Sequence, residues 1–235
     1  MNILLLTPQD FQPDGLAVVS GRRFEQLTGV IGVAPGKICK AGVLGGDRGT
    51  GEVVAVDDKV VTIRFTAQRP APPKIGVTLI AALPRPNTFV KILHCATAMG
   101  VDEIRFIQTF KVEKSYWQSP KISPETAEKE VILALEQSGD TVMPKLFFHR
   151  DFREFINHDL PGIAARAPSY IGSPSAVLTA SKLDAPYINL AIGPEGGFTE
   201  TEEKLFQQNG FTPVSLGSRT LRSEFAVAAL LAKLR

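Results

Sequence analysis

The residues with the most chemical potential lie in the last fifth of the chain. The stretch AIGPEGGFTETEEKLF (191–206) follows the apolar run YINLAIG (187–193) with a turn rich in glycine and proline. Gly193, Gly196 and Gly197 can adopt backbone angles closed to other residues, and Pro194 fixes one angle and removes a donor. Thr199, with Glu202 three positions on, reads as a capping box that opens a helix. A strand, a tight turn and a helix N-terminus make a common frame for a small ligand. Two other apolar runs also end in glycine: SYIGS (169–173) and VSLGSRTLRSE (214–224). In a parallel sheet, ligands sit beyond the carboxyl ends of the strands, so three such ends together would form a pocket lined by main-chain atoms. That lining suits a nucleoside read by hydrogen bonds. A glycine taken singly would mark only a turn.

Other chemistries are disfavoured. No G-x-x-x-x-G-K-[ST] is present, GPEGGF (193–198) is not G-x-G-x-x-G, and Glu195 in the turn would repel a phosphate. A nicotinamide enzyme is weaker still, because the turn lies near the C-terminus, with no acid at the distance that grips a ribose. His94, His149 and His158 lack ligand spacing, so no metal is expected, and His94 reads as a packed or surface histidine. Cys39 and Cys95 form neither a metal pattern nor a disulfide framework, which points to a reducing cytoplasm. No segment is apolar for long enough to cross a bilayer. MNILLLTPQDF lacks the basic region and cleavage site of a signal peptide. A net charge of +2 restricts any nucleic-acid surface to local basic patches.

Two kinds of element must position these residues. Up to about residue 68 the pattern is that of short strands. In KVVTIRF (59–65), Val61, Ile63 and Phe65 share one face; ILLL (3–6), ICKAGVL (38–44) and GEVVAV (51–56) are further candidates. These suggest a small β-barrel over 1–68, followed by a proline-rich linker over 69–75. From 76 to 235 strands and helices alternate, which implies a mostly parallel α/β sheet. GVTLIAAL (76–83) reads as a strand buried on both faces. TFVKILHCATAMG (88–100) reads as a helix capped by Thr88, and SPETAEKEVILALEQSG (123–139) as a helix capped by Ser123. A further helix is expected near 151–160, a strand at 211–217, and a helix over the last dozen residues.

The pair IGPEGGFTETE and LGSRTLRSEFA resembles the signature of the bacterial 16S rRNA (uracil-N3)-methyltransferases, a family of the SPOUT class. The order of the remaining elements, a helix ending in MGV and then LALEQSG (133–139), is also similar, so the resemblance spans nearly the whole chain. It implies a C-terminal SPOUT domain with a deep trefoil knot, preceded by a PUA-like, RNA-binding barrel. It further implies a homodimer and S-adenosylmethionine as cofactor, held by Gly172, Ile192, Gly193, Gly196, Leu216, Gly217 and Leu221. The expected partner is ribosomal RNA or the small ribosomal subunit.

Methylating uracil N3 requires loss of its proton. A guanidinium aimed at the carbonyl oxygens would favour the anion, with Arg222 and Arg219 as candidates and Glu224 as orienter or proton acceptor. Glu195 is expected to hydrogen-bond its own turn and Phe198 to pack beneath it. Arg22, Arg23, Lys37, Lys40 and Arg48 are candidate RNA contacts on the barrel. The chain departs from the family pattern at Gly32, Ala98, Asp140 and Phe225, positions where the family carries polar or positive groups. These departures leave room for a different RNA target, or for a non-catalytic RNA-binding or ribosome-assembly protein.

Overall fold

A computed structural model describes residues 2–235. Two compact units form: Met1–Pro73 with Ile132–Met143, and Lys74–Val131 with Pro144–Arg235.

The first unit holds strands β1 (Leu4–Leu6), β2 (Ala17–Ser20), β3 (Ile38–Val43), β4 (Arg48–Val56) and β5 (Val60–Arg69). Their order is β1-β3-β4-β5-β2, with β1 parallel to β3 and every other pair antiparallel. Alternation decides which face is buried. Val61 and Ile63 are fully covered while Arg64 is exposed, and with Leu4, Leu6, Ala17, Val19, Ala41 and Val53 they make the core. β5 runs on through Arg69, so the strand takes the first residue of the proline-rich stretch. Helix α1 (Gly21–Gln26), which period-two patterning does not reveal, continues as a wider turn over Leu27–Ile31. Phe24 and Leu27, three apart, both reach the core, and that spacing suits a helix.

The second unit is a six-stranded, wholly parallel sheet: β6 (Val77–Ala82), β7 (Glu103–Ile107), β8 (Lys145–His149), β9 (Ser169–Gly172), β10 (Ile188–Ile192) and β11 (Phe211–Val214). The order is β11-β9-β10-β6-β7-β8. Every residue of β6, β7 and β10 is buried, as expected for strands covered on both faces. Helix α2 (Pro86–Ala98) begins two residues before Thr88, with Arg85 as its cap, because Pro86 is suited to a first helical position. Gly100, at φ +81°, ends that run. Helix α3 (Pro124–Ser138) is capped by Ser123, whose Oγ accepts from Thr126 N at 3.2 Å. The helix expected at 151–160 forms in pieces, α4 (Phe152–Glu154), a wide turn, and α5 (Leu160–Ala164). Then come α6 (Glu200–Gln208) and α7 (Ser223–Leu234). No helix among the described residues is long and apolar enough to cross a membrane.

Candidate active site

The sheet order makes β11, β9 and β10 consecutive neighbours, so their carboxyl ends lie side by side. The bends at 172, 193 and 217 line one cavity of about 390 Å³. All seven residues expected to hold a cofactor are in its wall: Gly172, Ile192, Gly193, Gly196, Leu216, Gly217 and Leu221. Val214, Ala226 and Leu230 supply further apolar lining. Two of the glycines are needed for space. A Cβ on Gly193 would lie 2.9 Å from Phe198 N, and one on Gly172 would lie 2.9 Å from Leu230 Cδ1. The main-chain N–H groups of Leu216 and Gly217 donate to no other group among the described residues, so they are available to a ligand.

The glycine turn is held from several sides. Gly197 N donates to Pro194 O at 2.8 Å, and Gly197 has φ +68°. Thr199 and Glu202 form the expected capping box. Glu202, 4% exposed, also accepts from Phe110 N at 2.7 Å. Lys111 Nζ donates to Gly196 O at 2.6 Å, and Ser223 Oγ donates to Gly193 O at 3.4 Å. Phe198 is buried beside Phe206, with ring centroids 5.1 Å apart. Glu195 differs from expectation: instead of its own turn, its Oε1 accepts from Arg85 N at 3.1 Å, because the loop after β6 presents that amide to it. Sequence reasoning also passed over Ser173, Ser175, Glu203 and Ser223, which line the cavity. Ser173 directly follows a glycine-ended strand, and that is the available signal.

The three expected reactive groups separate. Arg219 lines the cavity. Arg222 is exposed, does not line it, and occupies the cap position of α7. Glu224 is buried and pairs with Lys91 Nζ at 3.3 Å. Burial pushes its carboxyl up, but the amide at the helix start, Lys91 and Arg222 outweigh this and hold it below the ordinary value. A carboxylate so stabilised is a poor proton acceptor.

In the first unit the expected RNA contacts are mostly engaged. Arg23 makes two hydrogen bonds to Asp10, at 2.6 and 2.7 Å, and a third to Leu5 O. Arg22 grips Glu136 with both terminal nitrogens, at 2.8 and 2.9 Å. Lys37 reaches Gly32 O and Arg48 reaches Pro70 O, both in exposed settings, and Lys40 is exposed on β3. Among the histidines, His94 Nε2 meets Glu130 at 2.7 Å and His149 Nδ1 lies 3.5 Å from Asp159. No group of three metal-ligating side chains occurs among the described residues.

Comparison with known proteins places this geometry. The chain is 28% identical, over 99% of its own length and 90% of the other's, to ribosomal RNA small subunit methyltransferase E of Treponema pallidum. It is 25% identical, over 97% and 95%, to ribosomal RNA small subunit methyltransferase E 1 of Borreliella burgdorferi. Its fold is similar to the crystal structure of a ribosomal RNA small subunit methyltransferase E from Neisseria gonorrhoeae bound to S-adenosyl methionine. That similarity has a TM-score of 0.76 at 22% identity, covering 99% of this chain and 95% of that one. The model of the RNA methyltransferase domain matches residues 71–235, which contain every residue of the cavity, and the chain therefore belongs to the RNA methyltransferase family.

Proposed function

We propose that this RNA methyltransferase transfers a methyl group from S-adenosylmethionine to N3 of a uridine in small-subunit ribosomal RNA. One observation carries the reading: three glycine-ended strands converge on a single cavity with unengaged main-chain amides, in a chain whose near-full-length relatives are named for that RNA. The cavity fits such a donor. It is within the size range of small-molecule sites, combines apolar walls with main-chain hydrogen-bonding groups, and leaves no space for a Cβ at Gly193. Gly172, Ile192, Gly193, Gly196, Leu216, Gly217 and Leu221 would hold the cofactor, which supplies a methyl group activated by a positive sulfur.

The chain's own residues prepare the acceptor. Arg219, in the cavity wall, stabilises the uracil anion through its carbonyl oxygens. Arg222 lies at the edge of the site, where its charge and that of Lys91, which pairs with Glu224, both favour the ionised Glu224 carboxylate. Glu224 acts as an orienter, since its lowered pKa unfits it to take the proton. Arg22, Arg23, Lys37, Lys40 and Arg48 are the contacts through which the first unit, a PUA-like barrel, would hold RNA.

The finer fold reading is a trefoil knot in a homodimeric enzyme. Its support is the path of residues 173–187, the connection from β9 to β10. Ala180 N donates to Ser215 O and Ser215 N to Leu178 O, both at 2.8 Å. Further along the same connection, Leu183 N donates to Leu234 O and Arg235 Nη1 reaches Ala185 O. One connection therefore runs beside both the end of β11 and the end of α7, while Leu230 of α7 lies close to Gly172, which is the arrangement a knot would need.

The test has two arms. Isothermal titration with S-adenosylmethionine should show saturable binding. RNA from a strain lacking the gene, incubated with protein and cofactor, should gain a reverse-transcriptase stop at one uridine, because an N3 methyl blocks pairing. Arg219→Ala should keep cofactor affinity and lose about a hundredfold in methyl transfer. A silent titration overturns the cofactor assignment; binding without any RNA stop favours a non-catalytic RNA-binding protein.

A further inference from the structure

Phe110 is the most exposed aromatic residue among the described large hydrophobics, at 85%, yet the loop that carries it is tightly held. Thr109 and Val112 on either side are buried. Phe110 N donates to Glu202, and Lys111 Nζ to Gly196 O. The side-chain amide of Gln108 donates to both Thr109 O, at 2.8 Å, and Val112 O, at 2.9 Å, and the Trp117 indole donates to Gln108 in turn. One mooring, Gly196, lines the cavity; the other, Glu202, directly precedes Glu203, which does. A ring offered to solvent by such a fixed backbone is positioned to meet something. The segment's own charge indicates what: from 109 to 122 there are three lysines, Lys111, Lys114 and Lys121, against the single acid Glu113, while the neighbouring wall carries Arg219 together with Glu195 and Glu203.

We propose that Phe110 is a stacking platform for a base of the RNA substrate at the mouth of the methyl-donor cavity. The proposal rests on the RNA methyltransferase reading above and deepens it by naming a substrate-binding residue. A base modified on its pairing edge must leave its pair and its stack, and an unstacked base needs a replacement π surface. A rigid phenyl ring costs little ordering entropy in that role, while the lysines draw in the phosphates without reading sequence.

The test compares wild type with Phe110→Ala, Phe110→Leu and Phe110→Trp. A fluorescein-labelled single-stranded 12-mer of uridine serves as the binding probe, S-adenosylmethionine is titrated separately, and light scattering reports mass. Phe110→Ala should weaken RNA binding about five- to a hundredfold, the range measured for one base–aromatic stack. Phe110→Leu should remain weak, Phe110→Trp should restore binding, and cofactor affinity, mass and melting temperature should stay constant. Wild-type binding with an equally strong Phe110→Ala variant overturns the platform alone. So does full rescue by leucine, or a loss that accompanies a change in mass, which would make Phe110 a subunit contact. A wild-type chain that binds cofactor but no RNA overturns the RNA reading together with the platform.

Discussion

Arg23, a candidate RNA contact by residue type, has a partner within its own unit. Asp10 lies in a short turn where its carboxylate accepts from Thr7 N at 2.6 Å and Thr7 Oγ1 at 3.0 Å as well as from Arg23. Burial alone would push the Asp10 carboxyl up, but Arg23 and the Thr7 groups together outweigh it and hold it below the ordinary value. A carboxyl depressed in the folded state contributes stability that is complete above its unfolded pKa of about 3.9 and fades as pH falls through the folded value. Thermal melts should therefore show the wild type losing stability below about pH 4 relative to Asp10→Asn, while at pH 7 the variant is the less stable by about 1–3 kcal/mol, the cost of leaving a charged hydrogen-bonded partner unmatched. Parallel melting curves for the two proteins from pH 3 to 7 would contradict this. The same contrast separates Arg219 from Arg222. Identical in type and three residues apart, they differ in that only Arg219 lines the cavity, which the motif LGSRTLRSE does not reveal.

At the scale of elements, what could be read in the chain was local and what could not be read was relational. β6, β10 and the capping box of α6 follow from apolar runs and from a threonine and glutamate spaced by three, because such signals depend on neighbours in sequence. Arg85 N capturing Glu195, or Glu202 reaching across to Phe110, depends on loops 110 and 92 residues distant, and no periodicity encodes that. The three glycine-ended strands were legible as a set, but their adjacency comes from the order β11-β9-β10. Two of the glycines should respond differently to a methyl group. At Gly193 the obstacle is Phe198 N, a main-chain atom fixed by the turn; at Gly172 it is Leu230 Cδ1 and Ile192 Cδ1, side-chain ends that can shift. Gly193→Ala should cost about 1–3 kcal/mol of stability, as overpacking does, and at least tenfold in S-adenosylmethionine affinity. Gly172→Ala should cost less on both counts. Calorimetric titration and melting of both variants check this, and equal cofactor affinities for Gly193→Ala and wild type would mean that the turn is not a cofactor contact.

At the scale of the whole molecule, the division near residue 70 is joined by a second crossing of the chain. Ile132–Met143 belongs with the first unit although more than fifty residues of the second intervene, so α3 is shared at a point within its length. The contacts of this segment explain the assignment. Glu136 O accepts from Asn2 N at 2.9 Å and Ile3 N at 3.1 Å, and the Glu136 carboxylate holds Arg22. Gly45 N donates to Thr141 O at 2.7 Å, and Thr141 Oγ1 donates to Gly46 O at 2.6 Å. Leu135 is fully buried. Asp140, one of the departures from the family pattern, accepts from Thr141 N and Val142 N and so shapes the turn that delivers Thr141 to the first unit. A fragment of residues 74–235 keeps the whole cavity but removes these first-unit partners of the segment. An amphipathic helix draws most of its stability from packing, so its second half should fray in the fragment while its first half stays protected. Amide hydrogen exchange by mass spectrometry should show residues 132–141 exchanging at least about a hundredfold faster in the fragment than in the full chain, with 124–131 unchanged. If protection over 132–141 survives the deletion, the segment is stabilised by the second unit, and the division at Val131 is in the wrong place.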